Sequence, residues 1–177
     1  MATALSERIA DLVKRSPDQM RTEEYTAVAE SLLSVAPRHA LVFGCGRDSE
    51  LWCSLMPAGG VIAFVEDNIQ WATSVPAPVV VTRYKGTVER WREQDPLAIM
   101  DCAPIISRVP WDWILIDGPR GDLPKAPGRL GPIHFASNRD AVVLVHDCHR
   151  DLEQGACDTW LPRPFRAVHH LRLYDRP

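Results

Sequence analysis

Residues 40–52 read Ala40-Leu41-Val42-Phe43-Gly44-Cys45-Gly46-Arg47-Asp48-Ser49-Glu50-Leu51-Trp52, a short apolar run that stops at a Gly-x-Gly turn and then becomes polar. A run of this kind, without alternation, predicts a strand buried on both faces. The two glycines permit a tight turn and the close approach of another group to the backbone. The arrangement recurs along the chain. Residues 61–65 are closed by Glu66-Asp67, residues 79–82 follow, Trp113–Ile116 is closed by Asp117-Gly118-Pro119-Arg120, and residues 141–145 are closed by His146-Asp147-Cys148-His149. Between these runs lie stretches able to form helices: Ser49–Leu55, residues 68–74, residues 87–91 and onward, residues 133–138 and residues 152–161. Apolar strands separated by helices predict an α/β fold with a doubly wound, mostly parallel sheet.

Outward from this core, Leu5, Ile9, Leu12 and Val13 form a helical stripe that Ser16-Pro17 interrupts, because a residue before proline disfavours helix. A second helix is expected over Thr22–Val35. Its opening Thr22-Glu23-Glu24-Tyr25 resembles a capping box, with tyrosine where glutamate would fit better. Near the C-terminus, Val168, Leu171 and Leu173 predict one or two terminal antiparallel strands, with His169-His170 as an exposed strand pair. The expectation is a single domain over residues 1–177: an N-terminal helical segment, 1–36, available as a lid, and an α/β core, 37–177.

Composition narrows the partners. The chain has 177 residues, 46% hydrophobic and 24% charged, with a formal charge of −3. A mildly acidic balance gives no broad attraction for nucleic acid. No apolar stretch approaches the roughly 18 residues that suggest a membrane span. Glu7, Arg8, Asp11, Lys14 and Arg15 make the opening unlike a secretory leader, so a cytoplasmic setting without membrane contact is expected. The five cysteines contain no C-x-x-C pair and read as reduced thiols, with Cys45 and Cys148 as packing residues.

In a doubly wound sheet the parallel strands deliver their carboxyl ends to one rim, where ligands bind. Gly44, Gly46, Asp48, Glu66, Asp117, His146 and Asp147 all follow such strands. The third glycine of a dinucleotide fingerprint is missing after Gly46, and Asp48 at a helix start opposes an anionic ligand. Glu66 lies 22 positions beyond Gly44, where an acid binds ribose hydroxyls; Asp67 would replace it if the strand ran one residue further. A glycine loop unsuited to phosphate, together with a ribose acid, favours S-adenosyl-L-methionine over a dinucleotide.

For chemistry, Asp117, His146, Asp147 and His149 are the candidate bases, and histidine is best matched to neutral pH. A divalent metal ion held by Asp117 and Asp147 is the competing device. Arg120 and Arg129 pair either with a substrate carboxylate or with an internal acid. Trp52 and Trp71, at helical spacing behind the site loops, read as core packing.

Several stretches together resemble the DUF579 family, whose plant members include glucuronoxylan 4-O-methyltransferases. These are residues 41–52, Val65-Glu66-Asp67-Asn68-Ile69-Gln70-Trp71, Arg83-Tyr84, residues 111–121, Ala126-Pro127-Gly128-Arg129 and residues 146–150, with Gln19 and Glu24 resembling the segment before the fold. The resemblance implies a class I methyltransferase fold and S-adenosyl-L-methionine as cofactor. It implies Gly44, Gly46 and Asp48 around the methionine end, Glu66 on the ribose and Asp117 beside the transferable methyl. Two loops depart from the family pattern. Asp-Ala-Pro-Lys-Gly becomes Asp117-Gly118-Pro119-Arg120-Gly121, and His-Asp-Val-Asn-Arg becomes His146-Asp147-Cys148-His149-Arg150. Arginine stays protonated and does not serve as a base. The expected function is O-methylation of a sugar, uronic acid or similar polar small molecule. A catalytically silent cofactor-binding partner subunit and a nucleotide-dependent oxidoreductase are the rivals, and a homo-oligomer that covers the rim is an open alternative to a lid.

Overall fold

The structure is a computed structural model and describes residues 2–175. Two helices, α1 (Ala2–Arg15) and α2 (Thr22–Val35), precede an alternating series. It runs β1 (His39–Phe43), α3 (Ser49–Leu55), β2 (Val61–Glu66), α4 (Ile69–Ala72), β3 (Val79–Val81), a 3-10 helix (Val88–Glu93), α5 (Ala103–Ile106), β4 (Trp113–Ile116), α6 (Leu130–Ser137), β5 (Val142–Val145) and α7 (Asp151–Trp160). Strands β6 (Arg166–Val168) and β7 (Leu171–Tyr174) close the chain. The seven strands form one sheet in the order β3-β2-β1-β4-β5-β7-β6. β1 to β5 pair in parallel, and β7 runs antiparallel between β5 and β6.

The apolar runs lack alternation because the sheet is covered twice. Leu41, Phe43, Ile114, Ile116, Val143 and Val145 pack into one core with Ile106, Ile133 and Leu152 from α5, α6 and α7. Their neighbours Ala40, Val42, Trp113, Leu115, Val142 and Leu144 pack into the other with Ile9, Val28 and Trp52 from α1, α2 and α3. Register aligns the strand ends: Phe43 pairs with Val65 and with Ile116, and Ile116 pairs with Val145. Residues 44, 66, 117 and 146 therefore emerge along one rim, with the order reversing at β1.

The differences from sequence expectation are local. The α2 cap is Arg21, one residue earlier than expected; its N–H donates to Glu24 Oε2 at 2.8 Å, so Glu24 rather than Tyr25 holds the reciprocal capping position. His169 and His170 form the turn between β6 and β7, with His169 at φ +49°, rather than lying in a strand. The helix expected from residue 87 is a 3-10 helix, and the one after Asn68 is a single turn. Short α5, which carries Pro104 in its first turn, is an element that the apolar pattern does not predict. Trp52 is fully buried as expected, whereas Trp71 is 40% exposed.

Candidate active site

The loops after β1 and β4 meet backbone to backbone. A Cβ on Gly118 would fall 2.6 Å from Gly44 Cα, and one on Gly44 would fall 3.0 Å from Gly118 N; Gly44 also sits at φ +101°. No residue with a side chain fits either place without separating the strand ends. The Gly118-Pro119 peptide is cis. Gly46 serves a different purpose: a Cβ there would lie 2.7 Å from Asp48 Oδ1, so its absence lets that carboxylate fold back over the turn.

Glu66, 6% exposed, shapes the next part of the rim. Its Oε2 accepts from Cys45 N at 2.6 Å, and its Oε1 accepts from Asn68 N at 2.8 Å and Asp67 N at 3.0 Å. Burial raises its pKa despite these donors. An ionised carboxylate has about four lone-pair sites, so room remains for a hydroxyl donor. Burial, aided by Glu66, pushes the Cys45 thiol up to about 12 and keeps it protonated.

A cavity of about 580 Å³ lies over this rim, lined by Gly44, Glu66, Asp117, Arg120, His146 and Asp147 among others. A second, of about 320 Å³, is walled by Tyr25, Gly46, Arg47 and Asp48. Asp18, Gln19, Cys45 and Trp71 line both, so the two adjoin. The connection between α1 and α2 thus reaches the rim, in line with the expectation that residues 1–36 are available to it and with the family likeness at Gln19. Asp48 is pushed up to about 7 by burial and by the charge of Asp117.

Beyond Asp117 the rim is a chain of charges. Arg129, 3% exposed, bridges two carboxylates, with its Nη2 at 2.7 Å from Asp147 Oδ2 and 3.2 Å from Asp117 Oδ1. It also donates to the carbonyls of His146 (2.5 Å) and Asp117 (2.9 Å). Arg150 Nη1 reaches Asp147 Oδ2 at 2.8 Å. His146 Nδ1 lies 3.0 Å from Asp117 Oδ1, and Nε2 lies 3.5 Å from Glu24 Oε1. Burial alone would lower the His146 pKa, but Asp117 and Glu24 raise it to about 9. Burial would raise Asp117, yet the His146 contact and the Arg129 charge hold it below the usual carboxylate value.

This geometry sorts the sequence-predicted residues. Asp117, His146 and Asp147 come together at the cavity, as do Gly44 and Glu66. Both His146 nitrogens face internal carboxylates, so it is the less accessible base of the pair. Asp117 engages His146 and Arg129 through Oδ1, and among the described residues no hydrogen bond falls on Oδ2. Asp147 is held by Arg129 and Arg150. Arg129 is thus an internal partner rather than a substrate ligand. Arg120 stands exposed on the cavity wall in a two-bond pair with Asp122, at 2.8 and 2.7 Å, apart from the Asp117 group. His149 is exposed, its ring 3.9 Å from that of His170. Asp117, His146 and Asp147 have the spacing of a metal triad, their ligand atoms within 4.8 Å. A divalent cation on these three groups would compete with Arg129 for two carboxylates and leave its buried guanidinium with carbonyl acceptors in place of ion pairs, a costly arrangement. The donor set fits a resident arginine better than a divalent ion.

A family profile described as IRX15/IRX15L/GXM matches residues 81–174. The chain is 28% identical over 192 residues to arabinogalactan O-methyltransferase 2 of Arabidopsis thaliana, covering 88% of this chain and 66% of that one. It is 29% identical over 205 residues to glucuronoxylan 4-O-methyltransferase 3 of the same plant, covering 98% and 69%. The chain therefore spans 66% to 69% of the length of these relatives. The solved O-methyltransferase from Bacillus cereus in complex with SAH matches with a TM-score of 0.53 at 13% identity, over 89% of this chain and 76% of that one. At such identity the likeness is one of fold, and the fold is of the class I methyltransferase type.

Proposed function

We propose, from the premise that this chain belongs to the IRX15/IRX15L/GXM family, that it transfers a methyl group from S-adenosyl-L-methionine to a hydroxyl of a saccharide or similar polar acceptor. The observation that carries the reading is the meeting of Gly44, Glu66 and Asp117 along one cavity of about 580 Å³, within the size range of cofactor sites. Glu66 has capacity left for a ribose hydroxyl. Asp48, in the adjoining cavity, gives a carboxylate to a positively charged methionine end and repels a pyrophosphate, which argues against a nucleotide-dependent oxidoreductase.

When bound, the cofactor supplies a methyl on a sulfonium: the C–O bond to the acceptor forms, the C–S bond breaks, and the hydroxyl proton departs. Asp117 Oδ2 accepts the hydrogen bond of that hydroxyl, aligns its oxygen and takes the proton as its acidity rises during bond formation. Arg129 and His146 hold Asp117 through Oδ1, so positioning supplies much of the rate. Arg120 on the cavity wall, which would exchange its exposed Asp122 partner for a sugar carboxylate, suits an acidic sugar, in keeping with the polysaccharides named for the relatives.

Calorimetry with S-adenosylhomocysteine tests the cofactor, and formation of that product with glucuronic-acid-bearing oligosaccharides tests the reaction. Asp117→Asn is expected to abolish turnover while retaining cofactor binding. Near-normal turnover in that variant would remove Asp117 from the chemistry. Binding without turnover by the wild type would leave the chain a cofactor-binding partner subunit.

A further inference from the structure

Glu24 belongs to α2, far in sequence from the rim, yet it is 1% exposed and sits behind His146. Its two oxygens meet three elements. Oε2 accepts from Arg21 N at the α2 cap, and Oε1 accepts from His170 N in the β6–β7 turn, each at 2.8 Å. Oε1 also faces His146 Nε2 at 3.5 Å. A buried carboxylate is costly unless paired, and these two backbone donors would suffice to fasten α2 to the turn. The third contact is the informative one, because it places the imidazole between two carboxylates, Glu24 and Asp117.

We propose that Glu24 is a positioning residue for methyl transfer, holding the His146 ring against Asp117 so that Asp117 Oδ2 remains for the acceptor hydroxyl. The proposal rests on the methyl-transfer reading above. Nδ1 bonds Asp117, while Nε2, buried and without a hydrogen bond, faces Glu24 Oε1 across 3.5 Å, so the two carboxylates flank the ring on opposite sides. Asp147, Asp48, Arg129, Arg150 and His149 add to the field around the ring, but among the carboxylates of the described residues it is Glu24 that faces Nε2 within 4 Å. The electrostatics agree: Glu24 is held down at about 2, with the cost of burial outweighed by His146 and the two backbone donors.

Histidine-ring NMR of the full chain reads the contact directly. In the wild type at neutral pH both ring nitrogens are expected to be protonated, with Nε2–H protected from exchange; a solvent-exposed Nε2–H would overturn the proposal without any variant. In Glu24→Gln the His146 titration is expected to move to lower pH, because a carboxylate favouring the imidazolium is gone. Turnover is expected to fall by about ten- to a hundredfold in kcat, part of the roughly 10²–10⁴ that acid–base groups supply, with KM for the cofactor little changed and the pH profile moving with the ring. If Glu24 only fastens α2 to the turn, Glu24→Gln lowers the melting temperature and leaves both the titration and the pH profile where they were, and the proposal falls. A wild type that makes no S-adenosylhomocysteine with any acceptor overturns the methyl-transfer reading and the role with it. The NMR titration separately decides whether the Glu24–His146 contact exists.

Discussion

Asp48 and His146 both make stability fall as pH rises, in different windows, because each has a folded pKa raised above its unfolded value. The folded pKa of Asp48 is raised to about 7, above its unfolded value, so the ionised carboxylate is disfavoured in the native state above that pH. Asp48→Asn is therefore expected to stabilise the fold at pH 8 by on the order of 1–3 kcal/mol, with the gain vanishing near pH 4. Cofactor affinity in the same variant is expected to fall, since a carboxylate for the positive methionine end is lost. Melting curves across pH, set beside calorimetry at pH 8, check both halves. A variant that is neither more stable nor weaker in binding would refute the assignment. His146 has the same slope in a higher window, but there it is the charged form that the fold favours. Its folded pKa of about 9 lies above the unfolded value near 6.5, so its contribution is complete below about pH 6.5 and is lost as pH rises through about 9. His146→Gln is expected to flatten the alkaline fall in melting temperature between pH 7 and pH 10. An unchanged slope would mean that the imidazolium does not support the fold.

At the scale of elements, the backbone contact between the β1 and β4 loops decides whether the rim closes. Gly118→Ala forces a methyl to within 2.6 Å of Gly44 Cα, where only displacement of backbone relieves the clash. Overpacking of this kind costs about 1–3 kcal/mol, which lowers the melting temperature by roughly 2–4 °C per kcal/mol in a chain of this size. Cofactor affinity is expected to fall with it, because the moved strand ends carry Glu66 and Asp117 apart; retained affinity would show that the contact is incidental. The elements themselves were largely legible in the sequence, since a doubly covered sheet requires uninterrupted apolar runs, and three of the five runs close directly on glycine or acid, at Gly44, Glu66 and Asp117. Contacts between elements were not. Nothing near Glu24 marks it as a partner of His146, and Arg129 gave equal grounds for an internal or an external carboxylate until the fold brought Asp117 and Asp147 to it. Trp71 misled for a related reason: helical spacing says nothing about burial when the helix is a single turn, Ile69–Ala72, at the rim of a cavity.

For the molecule as a whole, the question is whether residues 1–36 close over a finished core or belong to it. Ile9, Leu12 and Met20 are 2–3% exposed and join Tyr25, Val28 and Leu32 against Phe64, Trp113 and Leu115 of the sheet. Without this layer one face of β1, β4 and β5 would be open to water. Burying each large apolar side chain is worth about 1.5–3 kcal/mol, so losing Ile9, Leu12 and Met20 alone removes an amount comparable with the roughly 5–15 kcal/mol by which domains are stable. The part that lines the larger cavity is the connection bearing Asp18 and Gln19, strung between two helices that pack on the sheet. A chain beginning at Arg21 is therefore expected to lack a cooperative melting transition. The full chain is expected to melt in one step, displaced upward by S-adenosylhomocysteine by about 2.7 kcal/mol at a hundredfold excess over its dissociation constant. Differential scanning calorimetry separates the alternatives: a truncated chain that melts cooperatively near the full-length midpoint would make residues 1–20 a detachable cover, and a single coupled transition makes them a layer of the fold that positions Glu24 behind the catalytic rim.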